Sequence, residues 1–193
     1  LAGAQIANGV ATAADLTDAN LAGVTLGGAR MHRAILNNAD MTGAVVFGAD
    51  LSGASLRRTN VAGVDLDAAN LDDADLADLL RAPPAVLYID DRSLTDVLDD
   101  HESYCDSLGA KGTTLRLAEV DFRPARNLRN RRLSGLSAPG AIFFGMDLSG
   151  IQLQGADLCG ADLRGANLRK ADLRGARLIG AQLIRADLRE AVL

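Results

Sequence analysis

The chain has 193 residues, 48 % of them hydrophobic, yet only 3 % are aromatic and tryptophan is absent. A conventional globular core leans on aromatic side chains for buried area, so Ala, Leu and Gly must fill this interior through many small, similar contacts. The net charge of −5 argues against nonspecific nucleic-acid binding, and no apolar run approaches the roughly 20 residues of a membrane-spanning helix.

In the first part of the chain a large apolar residue recurs every fifth position, through Leu16, Leu21, Leu26, Met31, Leu36, Met41, Val46, Leu51, Leu56, Val61, Leu66, Leu71 and Leu76. Two places before each stands a small residue, mostly Ala, as at Ala14, Ala19, Ala29 and Ala34. An α-helix would carry this period around its circumference in steps of about 140°, so no apolar face would form. A separation of two is the strand spacing that puts both side chains on one side, which leaves the intervening Asp or Asn pointing outward. The last two residues of each unit, often ending in Gly, turn the corner. No single coil buries its apolar face alone, so coils must stack, their edges about 4.8 Å apart. Up to Leu80 this block is acidic, with Asp15, Asp18, Asp40, Asp50, Asp65, Asp67, Asp72, Asp73, Asp75 and Asp78 against four Arg.

The register fails after Leu76 and returns near Leu115 or Leu117. Pro83 and Pro84 forbid a helix through that point. Beyond them the sequence predicts a helix over Leu94–Leu108, with Ser93 as N-cap, Asp96 three residues on and Gly109 as the C′ residue. Leu94, Val97, Leu98, His101, Tyr104, Cys105 and Leu108 form one apolar stripe, with Leu94, Leu98, His101 and Leu108 expected to face a coil. Such a helix suits the open end of a stack, where strand edges and core would otherwise be exposed.

The second block re-enters with Leu117 and Phe122 in one register and Leu128, Leu133 and Leu148 in another, offset by one residue near Pro124. From Leu148 to Leu193 the period is regular, in units such as ADLCG, ADLRG and ANLRK, and from Arg126 onward basic residues outnumber acidic ones. Ala138 stands where Leu or Phe is expected.

These A(D/N)LXX units resemble the pentapeptide-repeat family. The resemblance implies an all-β solenoid, a right-handed quadrilateral β-helix in which four five-residue units make one coil and residues twenty apart stack. The expected organisation is two blocks with a helical interruption: a pentapeptide-repeat β-helix block at 1–78, a helical connector or cap at 79–112, and a second β-helix block at 113–193; the alternative is one continuous solenoid with the helical segment as an insertion on its side. The stretch from Leu98 through His101, Tyr104, Ser107, Gly109 and Gly112 is similar to a helical element that precedes the coils in some bacterial members.

The sequence assigns no catalytic, cofactor-binding or metal-ligating residue. His32 falls at an outward corner and His101 in the helix stripe, where packing or hydrogen bonding is the usual role. The outward Asp and Asn occur singly, in columns such as Asp147, Asn167 and Asp187, where mixing the two lowers repulsion along the ladder. Cys105 and Cys159 match neither a zinc site nor a redox pair, and with no signal peptide visible a cytoplasmic setting fits. The chain opens on Leu1 in mid-repeat, so a segment upstream is left open. Function must then lie on the outer surface. Phe47, Ile179 and Ile184 are apolar at outward positions, and the last two could form a patch with Val192. The sequence therefore predicts a non-enzymatic scaffold that binds a protein partner, or a second copy through a solenoid end, without membrane or direct nucleic-acid contact. The resemblance implies an alternative, since some members mimic DNA, bind gyrase and protect it from fluoroquinolones; Asp40, Asp50 and Asp65 would carry that role.

Overall fold

The computed structural model describes residues 1–125 and 127–193. The chain divides into two compact units, Leu1–Ala82 and Pro83–Leu193. In the first, isolated parallel bridges join residues twenty apart in four columns. One column runs Gln5, Thr25, Val45; the next Val10, Arg30, Asp50, Asn70; the third Asp15, Ile35, Ser55, Asp75; the fourth Asn20, Asp40, Asn60, Leu80. The five-residue period thus becomes a coil of four sides, a β-helix solenoid. Each bridge residue lies between a small residue and a large apolar one, as the alternation of a strand requires. Val45 illustrates the ladder, its N–H donating to Val24 O at 2.9 Å and its carbonyl accepting from Leu26 N–H at 2.7 Å.

Every corner is a tight turn, as where Ala29 N–H donates to Leu26 O at 2.9 Å. The residue before the small one takes positive φ, and at Gly28 (φ 65°) glycine meets that demand without strain. Asn38 and Arg58 take the same conformation at φ 59° and 55°, so the stack imposes the turn even where the residue resists it. Inside, Leu21, Leu26, Met31, Leu36, Met41, Val46, Leu51 and Leu56 are buried with Val24 and Ala29, Ala34, Ala39, Ala44, Ala49 and Ala54. One side departs from the pattern: a 3-10 turn at Leu66–Ala68 stands where Asp65 would otherwise bridge to Val45.

The second unit begins with a two-residue antiparallel pair, β1 (Tyr88–Ile89) and β2 (Arg92–Ser93), which leads into α1 (Leu94–Asp106). Ser93 caps the helix, its Oγ accepting from Asp96 N–H at 3.1 Å. Leu94, Val97, Leu98 and His101 are buried, and the three aliphatic residues share one core with Leu115, Leu117, Phe122 and Leu128. The expectation for Leu108 is overturned: it is 96 % exposed, with φ 53°. The helix closes two residues earlier than the stripe suggests, by Gly109 N–H donating to Tyr104 O at 2.9 Å and Leu108 N–H to Cys105 O at 3.4 Å. That pair of bonds is a Schellman closure, in which Leu108, and not Gly109, is the left-handed C′ residue. Once left-handed, Leu108 no longer follows the helical face. Acids on α1 meet arginines of the coils, Asp99 and Glu102 pairing with Arg131 at 2.7 Å each and Asp106 with Arg132 at 2.6 Å.

The coils of this unit start one residue long. Arg116 bridges to Ser137 and Asp121 to Ile142, both twenty-one apart, whereas Arg132 to Gln152 and every later bridge span twenty. The extra residue lies between Asp121 and Arg132, where the sequence changes register near Pro124. Phe122 and Phe143, both buried, stack at 4.5 Å between ring centroids. Ala138 is wholly buried in the leucine position.

Candidate functional site

The outward Asp and Asn are used by the wall itself. Their Oδ1 accepts the N–H two residues on, as Asp40 does from Thr42 at 3.1 Å, Asn60 from Ala62 at 3.2 Å and Asp147 from Ser149 at 3.1 Å. Between coils, Asn60 Nδ2 donates to Asp40 at 3.2 Å and Asn167 Nδ2 to Asp147 at 3.0 Å. In the second unit Arg at the following outward position adds a charge-assisted pair, as for Asp172 with Arg174 and Asp187 with Arg189, both at 2.6 Å. The hydrogen bonds from those arginines hold the two carboxyls down to about 2. The Asp162–Arg164 pair is 8 % and 3 % exposed, with the Arg164 guanidinium 5.1 Å over the Phe144 ring. No group of three or more His, Cys, Asp and Glu suited to a metal occurs among the described residues.

The remaining polar candidates have structural partners. Ser52 Oγ donates to Asp50 Oδ1 at 2.6 Å and lies 2.9 Å from His32 Nδ1. The serine proton is therefore directed at the carboxylate, which leaves the oxygen to accept from the imidazole, the reverse of nucleophile activation. That hydroxyl bond also lowers the Asp50 carboxyl below its ordinary range. His101 is 1 % exposed and accepts Leu115 N–H at Nδ1 at 3.1 Å, a packing role in which it joins the helix to the coil. Burial raises the Cys105 thiol and the Asp157 carboxylate raises Cys159, so both are held in the unreactive protonated form.

The three acidic candidates do not converge. Asp40 and Asp50 lie on different sides of the first unit, and Asp65 belongs by its position to a third. Arg57 and Arg58 pair with Asp75 and Asp78, so that side is mixed in sign. Phe47 is 75 % exposed, two residues from Val45, itself 51 % exposed and unremarked in the sequence. Its neighbour in the same repeat position one coil earlier is Gly27, and one coil on the 3-10 turn at Leu66–Ala68 shifts the register, Gly48 N–H donating to Ala68 O at 2.7 Å. Ile179 is 75 % and Ile184 37 % exposed; the former stacks on Cys159 and the latter on Arg164, on successive sides of the coil. Val192 lies on another side, in the column of Gln152 and Asp172. The sequence also missed Val10 and Ile35, which are exposed and apolar where Asp or Asn is usual; an apolar residue at the bridge position is the signal that would have found them, with Val45. No helix among the described residues is long and apolar enough to cross a membrane.

Solved structures similar to this chain include HetL, a pentapeptide repeat protein involved in heterocyst differentiation regulation in the cyanobacterium Nostoc. It is 29 % identical, with 99 % of this chain and 87 % of that chain covered and a TM-score of 0.29. A pentapeptide repeat protein of the Arabidopsis thaliana thylakoid lumen is 17 % identical, with 88 % and 68 % covered and a TM-score of 0.33. QnrB1, a plasmid-mediated fluoroquinolone resistance protein, is 22 % identical, with 94 % and 82 % covered and a TM-score of 0.38. At these TM-scores none of the three carries an argument about function. No curated protein sequence matches. The family described as pentapeptide repeats matches in eight copies, over residues 14–53, 47–78 and 156–193, which is more than half of the chain. The chain is a member of the pentapeptide-repeat family.

Proposed function

We propose that the protein is a non-enzymatic scaffold that binds another protein through apolar side chains on its outer wall. The observation that carries this reading is Phe47, 75 % exposed beside Val45. Inward positions are spent on the core and outward carboxylates on turns and ladders, so these side chains have no structural use. Exposed aromatics at a flat surface are the usual anchors of protein interfaces. Ile179 and Ile184 offer a further contact on the second unit. We assign the finer architecture as two right-handed quadrilateral blocks, 1–82 and 113–193, with 83–112 as the cap of the second, and the setting as the reducing cytoplasm, where thiols such as Cys105 and Cys159 stay free. The test is a photoreactive residue placed in turn at Phe47, Ile179, Ile184 and Asp40, followed by affinity measurement with the purified cross-linked partner. Cross-links from the apolar positions, and binding that survives high salt, support the reading; cross-links from Asp40 alone oppose it.

The second reading is a DNA mimic that binds gyrase, favoured by the ten Asp against four Arg up to Leu80. A mimic requires a continuous negative face. The spread of Asp40, Asp50 and Asp65 over separate sides, with Arg57 and Arg58 among the acids, supports the scaffold over it.

A further inference from the structure

One wall of the second unit holds a groove whose shape follows from the repeat. Arg129, Ser149 and Arg169 fill one outward position in successive coils, with Asn130, Gly150 and Lys170 beside them, and Asn167 completes the lining. Asn130 N–H donates to Ser149 O at 2.9 Å and Gly150 N–H to Arg169 O at 2.8 Å, so the three rungs are consecutive. Coils stack about 4.8 Å apart, so Arg129 and Arg169 are rooted roughly 9.6 Å from each other. The short Ser149 and the bare Gly150 form the floor between them. Gly150 takes the corner's positive φ of 69° without strain, and its missing Cβ leaves room for the Asn130 carboxamide.

Three cations therefore border a hollow lined by polar residues and Gly150. Their side chains are 60 %, 42 % and 67 % exposed for Arg129, Arg169 and Lys170. Arg129 pairs with Asp147 at 3.3 Å, and Glu190 holds both others, Arg169 at 2.8 Å and Lys170 at 3.6 Å. Such exposed pairs are weak and exchange readily, whereas a guanidinium fork matches the oxygens of a tetrahedral oxyanion.

We propose that this groove binds the phosphate group of a small anionic ligand, clamped between Arg129 and Arg169 with Lys170 at the rim and the short Ser149 leaving room at the floor. Glu190 acts as the internal competitor for two of the three cations. A long polyanion fits poorly, because Asp147, Asp187 and Glu190 interrupt the same wall.

The experiment is a titration of the full chain with inorganic phosphate at constant ionic strength, followed by phosphorus NMR line broadening. Saturable binding is expected, weakened by about tenfold or more in the double variant Arg129→Gln, Arg169→Gln and tightened severalfold by Glu190→Gln. Circular dichroism must show both variants folded; if the double variant is not, Lys170→Gln and Glu190→Gln decide the matter by their opposite signs. Absence of saturable binding overturns the proposal, as does weakening by Glu190→Gln. A duplex oligonucleotide that outcompetes phosphate and depends on the same arginines also overturns it, by assigning the wall to nucleic acid.

Discussion

Leu168 offers the sharpest probe of the stacked core. Its side chain is fully buried, between Ala166 and Ala171, which are also fully buried. Leu148 and Leu188 occupy the same position in the coils on either side, the former fully buried and the latter partly. Truncation to Ala removes three carbons, about 2.4 kcal/mol of transfer free energy at about 0.8 per methylene. The void adds to this, because the coil cannot collapse while Leu168 N–H is bonded to Asp187 O at 2.8 Å and Asn167 N–H to Met146 O at 2.9 Å. The total expected for Leu168→Ala is about 3–4 kcal/mol, within the range of other buried leucines. Leu188→Ala, at a partly exposed position, should cost roughly half as much. Urea unfolding followed by circular dichroism measures both, with an unchanged m value as the check that the unfolded state is comparable. A cost below about 1 kcal/mol for Leu168→Ala, or equal costs for the two leucines, would refute the layered core.

Leu108→Gly should stabilise the protein by about 0.5–1 kcal/mol in the same assay, because a left-handed leucine that buries nothing is relieved by glycine. Ser93→Ala should cost about 1 kcal/mol through loss of the helix cap. The Asp172 and Asp187 carboxyls, held at about 2 by Arg174 and Arg189, lie below their unfolded value of about 4. Their contribution to stability is complete above about pH 4 and is lost as pH falls toward about 2. Melting temperature should accordingly drop over that window, and Asp172→Asn with Asp187→Asn should flatten the slope.

The coil was legible because every fifth position repeats one decision, large inside, and a two-residue step fixes which neighbour joins it. The change of register near Pro124 was legible for the same reason, since one added residue shifts all later leucines, and the longer first coils are its structural form. Leu108 was not, because its place depends on which carbonyls close the helix and not on the apolar stripe. The grouping of the acids needed the twenty-residue coil as well as the five-residue unit. Asp40, Asp50 and Asp65 look alike within a repeat, yet their spacings of ten and fifteen put them on different sides. Val45 went unnoticed because an apolar residue beside the core Val46 looks like more core until the side of the strand is assigned. The phosphate groove depends on what sits one coil above and below Ser149 and Gly150, which no single repeat displays.

The central claim is that the outer wall binds through apolar side chains and does not act by presenting DNA-like charge. Gyrase supercoiling, assayed with rising protein in the presence and absence of a quinolone, tests it most directly. The account predicts neither inhibition nor protection at micromolar protein. Inhibition or protection that weakens with salt and disappears on reversing the charges of Asp40, Asp50 and Asp65, with folding intact, would contradict it.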